Sequence, residues 1–133
     1  MSQNVDLVRE VVAAWNDHDI DRWLVCWDPR CEWVPRLRGQ VEGVQRYRGH
    51  EGLRRYWEED DAVWDEFRIE VQDLRETGGE VIATGTGTAR GKASGVAITT
   101  PFAFRFRVRD GRIVRGESYL DPNEALEAAR LSE

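Results

Sequence analysis

The sequence predicts a single α+β domain in which an antiparallel sheet packs on one side against three helices from the first half of the chain. In that first half, apolar residues recur at three- and four-residue steps, the period of amphipathic helices. From residue 67 onward apolar and polar residues alternate instead, the period of strands. The chain has 133 residues, the size of one domain. Helices gathered on one side of such a sheet make an α+β domain.

The first two predicted helices follow each other closely. His18 and Asp19 separate them, and Asp28-Pro29 ends the second. Their apolar stripes are formed by Val5, Val8, Val11, Val12 and Trp15, and then by Ile20, Trp23, Leu24 and Trp27.

A short predicted strand, Cys31 to Pro35, precedes the third helix. Residues 36–49 hold three glycines and four arginines and are interpreted as a loop. The third helix is then marked by the stripe of Leu53, Tyr56, Trp57, Asp60 and Trp64. One carboxylate therefore lies on an otherwise apolar face.

Strands dominate the second half, and glycine-containing turns separate them. Asp110-Gly111 is a typical hairpin turn. Asp121, Pro122 and Glu124 form a capping box that predicts a C-terminal helix. The predicted strands begin at Phe67 and then span Val81 to Ala89, Ile98 to Arg109 and Ile113 to Leu120.

Composition excludes several classes of function. The formal net charge of −6 argues against binding to nucleic acid, which requires clustered Lys and Arg. No apolar run approaches the ~20 residues of a membrane span, and nothing like a signal peptide is present, so we expect a cytoplasmic protein. Cys26 and Cys31 are expected to be reduced thiols. They have no further ligand at suitable spacing, so we expect no metal, and no motif calls for a cofactor.

The order of elements and several segments resemble the nuclear transport factor 2-like superfamily, in the branch of small polyketide cyclase-like (SnoaL-like) proteins. The resemblance covers the whole chain, residues 1–133. It implies a cone-shaped barrel with one internal pocket, which would bind a small hydrophobic molecule, and a homodimer formed through the outer face of the sheet. It is carried by Tyr47 to Trp57, Trp64 to Phe67, Asp110 to Val114, Ser118 to Asp121 and Glu124 to Ala129.

The positions that carry catalytic groups in such relatives are filled here by other residue types. Ser118 stands where polyketide cyclases and limonene epoxide hydrolases have an aspartate, and Gly85 and Gly87 where the hydrolases have an arginine and a second aspartate. Val34, Phe104 and Val11 stand at the aspartate base, oxyanion-hole acid and tyrosine of ketosteroid isomerases. The resemblance thus implies a wide, aromatic pocket. Its expected ligand-binding residues are Trp15, Trp27, Val34, Tyr56, Gly85, Gly87, Thr100, Phe102, Phe104 and Ser118.

Three residues are candidates for acid–base chemistry. By the resemblance, Glu32 would face the pocket, where burial would raise its pKa; otherwise Trp33 faces inward and Glu32 pairs with an arginine. Asp60 lies on the apolar stripe of the third helix, or else on its solvated rim beside Asp61. His50 begins that helix and is either a hydrogen-bond donor in the site, with a pKa that is easily tuned near neutrality, or a capping or surface residue.

Three functions therefore remain open. The first is a cofactor-free acid–base enzyme acting on a hydrophobic substrate, with isomerase, cyclase or hydrolase chemistry. The second is a non-catalytic binder or sensor of an apolar ligand. The third is an assembly module that dimerises through the sheet face carrying Arg105, Arg107 and Glu117.

Overall fold

The computed structural model of the protein describes residues 2–35 and 45–119. Three helices and six strands are present in this part of the chain. The helices are α1 (Gln3–Asn16), α2 (Ile20–Val25) and α3 (Gly49–Val63). The strands are β1 (Trp27–Pro35), β2 (Tyr47–Arg48), β3 (Trp64–Thr77), β4 (Glu80–Gly91), β5 (Ala97–Arg109) and β6 (Arg112–Tyr119).

The strands form one sheet in the order β2-β1-β6-β5-β4-β3, with the helices packed against one face. This arrangement confirms the α+β class. All neighbouring strands are antiparallel except β1 and β6, which run parallel, so the sheet is mixed. The expected barrel is corrected to an open sheet, because β2 and β3 remain at opposite ends of the strand order in the described part of the chain.

Several element boundaries differ from the sequence prediction. β1 begins at Trp27 rather than Cys31, because Trp27 pairs with Ile113 of β6. α3 begins at Gly49, four residues before the predicted stripe, and β2 precedes it within the segment interpreted as a loop. The predicted turn at Asp110-Gly111 is present, with both residues at positive φ. The C-terminal helix predicted from Asp121 lies outside the described residues.

Helix α1 is attached to the edge strand β3 by side chains that bond to its backbone. Asn16 Nδ2 donates to the carbonyl oxygen of Ile69 at 2.8 Å, and the Ile69 amide donates to Asn16 Oδ1 at 2.8 Å. The indole nitrogen of Trp15 donates to the carbonyl oxygen of Phe67 at 2.9 Å. These bonds satisfy edge groups that the sheet itself leaves unpaired.

Two glycines of β4 allow unusually close packing against β3. The pairing register shifts between Val71 and Asp73, as in a β-bulge, and at this point the Glu70 backbone approaches Gly85. A Cβ at Gly85 would overlap the Glu70 carbonyl oxygen. A Cβ at Gly87 would lie 3.2 Å from the ring of Phe67, a tight contact with a side chain that can adjust.

Alanine substitutions should distinguish these two glycines. We expect Gly85→Ala to lower the free energy of unfolding by about 2–3 kcal/mol, because backbone must move to admit the methyl group. Gly87→Ala, the matched control in the same strand, should cost less than about 1 kcal/mol. Urea denaturation measures both. Equal losses would contradict the close approach at Gly85.

Candidate functional site

A small apolar cavity lies between the helices and the inner face of the sheet. Its volume is about 50 Å³. Residues of α1, α2 and α3 form one side, and strands β1, β3, β5 and β6 form the other. Its wall consists of Val11, Val12, Trp15, Trp23, Trp27, Trp33, Tyr56, Phe67, Ile69, Phe104, Phe106 and Ser118.

Aromatic rings in contact with one another make up most of this wall. The ring centroids of Trp27 and Trp33 are 5.8 Å apart, and those of Trp33 and Phe104 are 6.0 Å apart. Trp15 lies 6.1 Å from Tyr56 and 6.0 Å from Phe67. Most of these pairs are tilted or edge-to-face, the arrangements that ring quadrupoles favour.

Polar groups in the wall are few, and two of them are unpaired donors. The indole nitrogens of Trp27 and Trp33 are buried and have no hydrogen-bond partner among the described residues. Trp15 differs, since its indole nitrogen bonds to the backbone of Phe67. Buried N–H groups without an acceptor are uncommon in folded proteins.

Gly116 of β6 determines where the two tryptophan rings lie. A Cβ at this position would be 2.8 Å from the Trp27 ring and 2.9 Å from the Trp33 ring. Both rings therefore rest directly on the backbone of the sheet, and any larger residue would displace them.

Only part of the expected pocket lining surrounds the cavity. Trp15, Trp27, Tyr56, Phe104 and Ser118 lie in the wall. The wide cavity inferred from Gly85 and Gly87 is corrected to a narrow one, since the strand backbone and the Phe67 ring occupy the space that these glycines leave.

The other expected lining residues lie elsewhere. Val34 follows Trp33 in β1, so its side chain is on the opposite face of the sheet. Phe102 is buried but is not part of the cavity wall, and its ring centroid is 4.4 Å from that of Phe104. Thr100 is partly exposed further along β5.

Glu32 does not face the cavity, and this expectation is corrected. Trp33 points inward, so its neighbour Glu32 lies on the outer face, where it forms ion pairs with Arg115, with Arg46 at 3.3 Å and with Arg48 at 3.4 Å. Three guanidinium groups therefore surround this carboxylate on the outer face. Glu32 therefore has no geometric access to a ligand in the cavity.

The outer face continues as a network of charged residues on β4, β5 and β6. Arg105 pairs with Glu80, and its Nη1 lies 3.5 Å from Glu117 Oε1. Glu117 also accepts from Arg115 at 2.9 Å and from the Tyr119 hydroxyl at 2.6 Å. The hydrogen bond with Glu80 raises the pKa of Arg105. The outer face of the sheet thus carries the charged side chains, and the inner face carries the aromatic rings.

The remaining two acid–base candidates also lie outside the cavity wall. Asp60 is buried, with 5% of its surface exposed, and borders a separate polar hollow of about 170 Å³ that His18 and Asp61 also line. His50 Nε2 lies 2.8 Å from the carbonyl oxygen of Trp27, to which it donates, and so ties the start of α3 to β1. The structure gives His50 a structural contact, while a role for Asp60 remains a prediction.

The two cysteines are buried free thiols. Burial raises the pKa of Cys26 and of Cys31 to about 11. Since thiolates are the reactive form, neither is an activated nucleophile near neutral pH.

Within 2–35 and 45–119, no three His, Cys, Asp or Glu side chains are arranged to hold a metal ion. No helix in those ranges combines the length and hydropathy that a bilayer span requires.

An α+β domain whose helices and sheet enclose an apolar cavity is the architecture of the nuclear transport factor 2-like fold. The family model described as SnoaL-like domain matches residues 8–116, so the chain belongs to this family. No curated protein sequence matches it significantly.

Solved structures agree with this fold. An NTF2-like protein of unknown function from Burkholderia pseudomallei K96243 is 23% identical, with a TM-score of 0.83 and coverage of 96% of this chain and 97% of that one. TerC, co-crystallised with polyporic acid, is 25% identical, with a TM-score of 0.81 and coverage of 95% and 97%. A putative SnoaL-like polyketide cyclase from Jannaschia sp. CCS1 is 18% identical, with a TM-score of 0.76 and coverage of 95% and 90%.

Neutralising Glu32 should affect stability rather than ligand binding. We expect Glu32→Gln to lower the free energy of unfolding by about 1 kcal/mol, because its arginine partners lose a charged acceptor. Glu70→Gln, at an exposed position of β3, is the control and should change it by less than about 0.5 kcal/mol. Urea denaturation at low salt measures both. A stable Glu32→Gln variant that no longer binds a ligand of the wild-type protein would return Glu32 to the site.

Proposed function

We propose that this SnoaL-like domain binds a small, flat, apolar molecule in the aromatic cavity. The observation that carries the proposal is the composition of the wall, in which Ser118 and the Tyr56 hydroxyl are the main polar groups besides the indole nitrogens. Ligand sites in proteins are typically concave and apolar, with a few placed polar groups. Family membership and the structural neighbour TerC, co-crystallised with polyporic acid, further support a small-molecule-binding domain.

The cavity must widen to admit such a ligand. Its volume of about 50 Å³ is well below the ~300 Å³ at which sites for drug-sized molecules begin. Widening requires wall rings other than Trp27 and Trp33, which rest on Gly116, to change position. Rings held mainly by dispersion and edge contacts can do so without breaking buried ion pairs. We therefore propose that the wall opens when the ligand binds.

Binding without catalysis is favoured over acid–base catalysis. A general base must come within hydrogen-bond reach of the proton that it removes. Among the described wall residues there is no carboxylate and no imidazole, and Glu32 is engaged by arginines on the outer face. We therefore propose that the protein is a cytoplasmic binder or sensor of an apolar ligand. This is the second of the three functions that the sequence leaves open.

A cavity-filling substitution tests the proposal. Val12 lines the cavity from α1, so we expect Val12→Phe to occupy its volume and weaken ligand binding at least tenfold. Val5→Phe is the matched control, since Val5 is also partly buried on α1 but lies outside the wall, and its affinity should stay within about twofold. Calorimetric titration with polyporic acid and smaller flat aromatic compounds measures both. Failure of every compound to bind the wild-type protein would contradict the proposal.

We also propose that two copies pair through the outer sheet face. Arg107 and Arg115 remain 46% and 33% exposed there, beside the buried Glu80 and Glu117, so the face offers both charges to an identical surface. In a two-fold dimer, the same surface patch of both copies forms the interface.

Sedimentation equilibrium tests this assembly. We expect a dimer for the wild-type chain, and at least tenfold weaker association for Arg107→Glu, because it replaces an exposed cation of the outer face with a carboxylate beside Glu80. Arg9→Glu, on the exposed side of α1, carries the same charge change and should remain dimeric. A monomeric wild-type protein would contradict this proposal and leave the cavity proposal untouched.

A further inference from the structure

The indole N–H groups of Trp27 and Trp33 are donors for which the described part of the chain supplies no hydrogen-bond acceptor. Trp27 and Trp33 are 2% and 6% exposed, so water does not reach their N–H groups freely. Both residues belong to the cavity wall. A buried donor without an acceptor loses its hydration and receives nothing in exchange, which costs stability.

The two rings that carry these donors lie close together on a common support. Their ring centroids are 5.8 Å apart, within the span of one small molecule. Gly116 lies beneath both rings, and its lack of a side chain lets them rest on β6. The His50 side chain donates to the backbone carbonyl of Trp27, a second contact that holds this residue in place. Side chains seated in this way are preorganised, and preorganisation lowers the cost of binding.

The charges around the donors restrict the acceptor. No Lys, Arg or His lies among the described wall residues, so a localised carboxylate would be buried without a counter-ion, which is strongly unfavourable. An uncharged oxygen, or one whose charge is delocalised over a ring, meets no such penalty. Neutral indole N–H groups are suited to an acceptor of that kind.

We infer that Trp27 and Trp33 are specificity-determining residues of the cavity, that their N–H groups bind an uncharged or charge-delocalised oxygen of the ligand, and that Gly116 is their positioning residue. This inference rests on the proposed function. The alternative acceptors for the two N–H groups are the faces of neighbouring aromatic rings. Phe106 is an example: its ring centroid lies 6.1 Å from that of Trp27, with an interplanar angle of 77°.

Fluorenone and fluorene form a suitable probe pair, because both are flat tricyclic molecules and only fluorenone carries a carbonyl oxygen. We expect fluorenone to bind the wild-type protein roughly tenfold more tightly. In protein labelled with ¹⁵N at tryptophan, the indole N–H resonances of Trp27 and Trp33 should shift downfield with fluorenone and much less with fluorene. Single Trp→Phe variants assign these resonances.

The variants supply the second readout. Trp27→Phe and Trp33→Phe should each reduce the preference for fluorenone by roughly threefold to tenfold. Trp57→Phe is the matched control, since Trp57 is a buried tryptophan outside the cavity wall. This variant should prefer fluorenone over fluorene as strongly as the wild-type protein does. Gly116→Ala should reduce the preference as well, because it displaces both donors.

Each result has a distinct meaning. Equal affinities for the two probes, or a preference that survives in both Trp27→Phe and Trp33→Phe, would overturn the inference and leave the proposed function standing. If neither probe nor polyporic acid binds, the proposed function itself fails. The resonance shifts are measured on the wild-type protein, where the indole N–H resonances can also be assigned from NOEs to the ring and backbone protons of the same residue, so they decide the question even where a variant does not fold.

Discussion

Contact between aromatic rings of the helices and of the sheet is the interaction on which the rest of this structure depends. Trp15 of α1 touches Trp23 of α2, Trp57 of α3 and Phe67 of β3, with centroid distances of 5.6, 4.9 and 6.0 Å. One ring thus fixes three helices and a strand relative to one another. Because rings this large bury much apolar area, they supply a large share of the hydrophobic stabilisation, and their packing also sets the width of the cavity.

The two faces of the sheet divide the chemistry of the domain. On the inner face, rings exclude water and leave only neutral donors beside the cavity. On the outer face, carboxylates and guanidinium groups compensate one another, as Glu80 and Arg105 do. A carboxylate moved from one face to the other would need a one-residue shift of strand register, which would also expose the rings. The placement of charge is therefore a consequence of the apolar packing.

Periodicity was sufficient to predict the architecture, because helix and strand periods separate cleanly along this chain. It was not sufficient to orient β1. Trp33 and Val34 are adjacent apolar residues and both are buried, so apolar character gives β1 no unique inward face. The contact that decides the orientation, between the Trp33 ring and Gly116, joins residues far apart in sequence.

The size of the cavity was also beyond the reach of sequence reasoning. When only side-chain size is considered, the missing side chains of Gly85 and Gly87 indicate space for a ligand. Whether such space stays empty depends on how closely the neighbouring strand approaches, and the bulge near Val71 that brings it close has no local signature in the sequence. The aromatic residues of the wall, in contrast, were recognisable from their stripes.

The attachment of Asn16 to the backbone of Ile69 has a consequence for the behaviour of the protein at high concentration. An amide side chain presents one donor and one acceptor, the same pair that a neighbouring strand would offer. Its position occupies part of the free edge of β3, where another molecule could otherwise add a strand. A helix side chain thereby protects the longest strand of the sheet from intermolecular β-pairing, the first step towards aggregation.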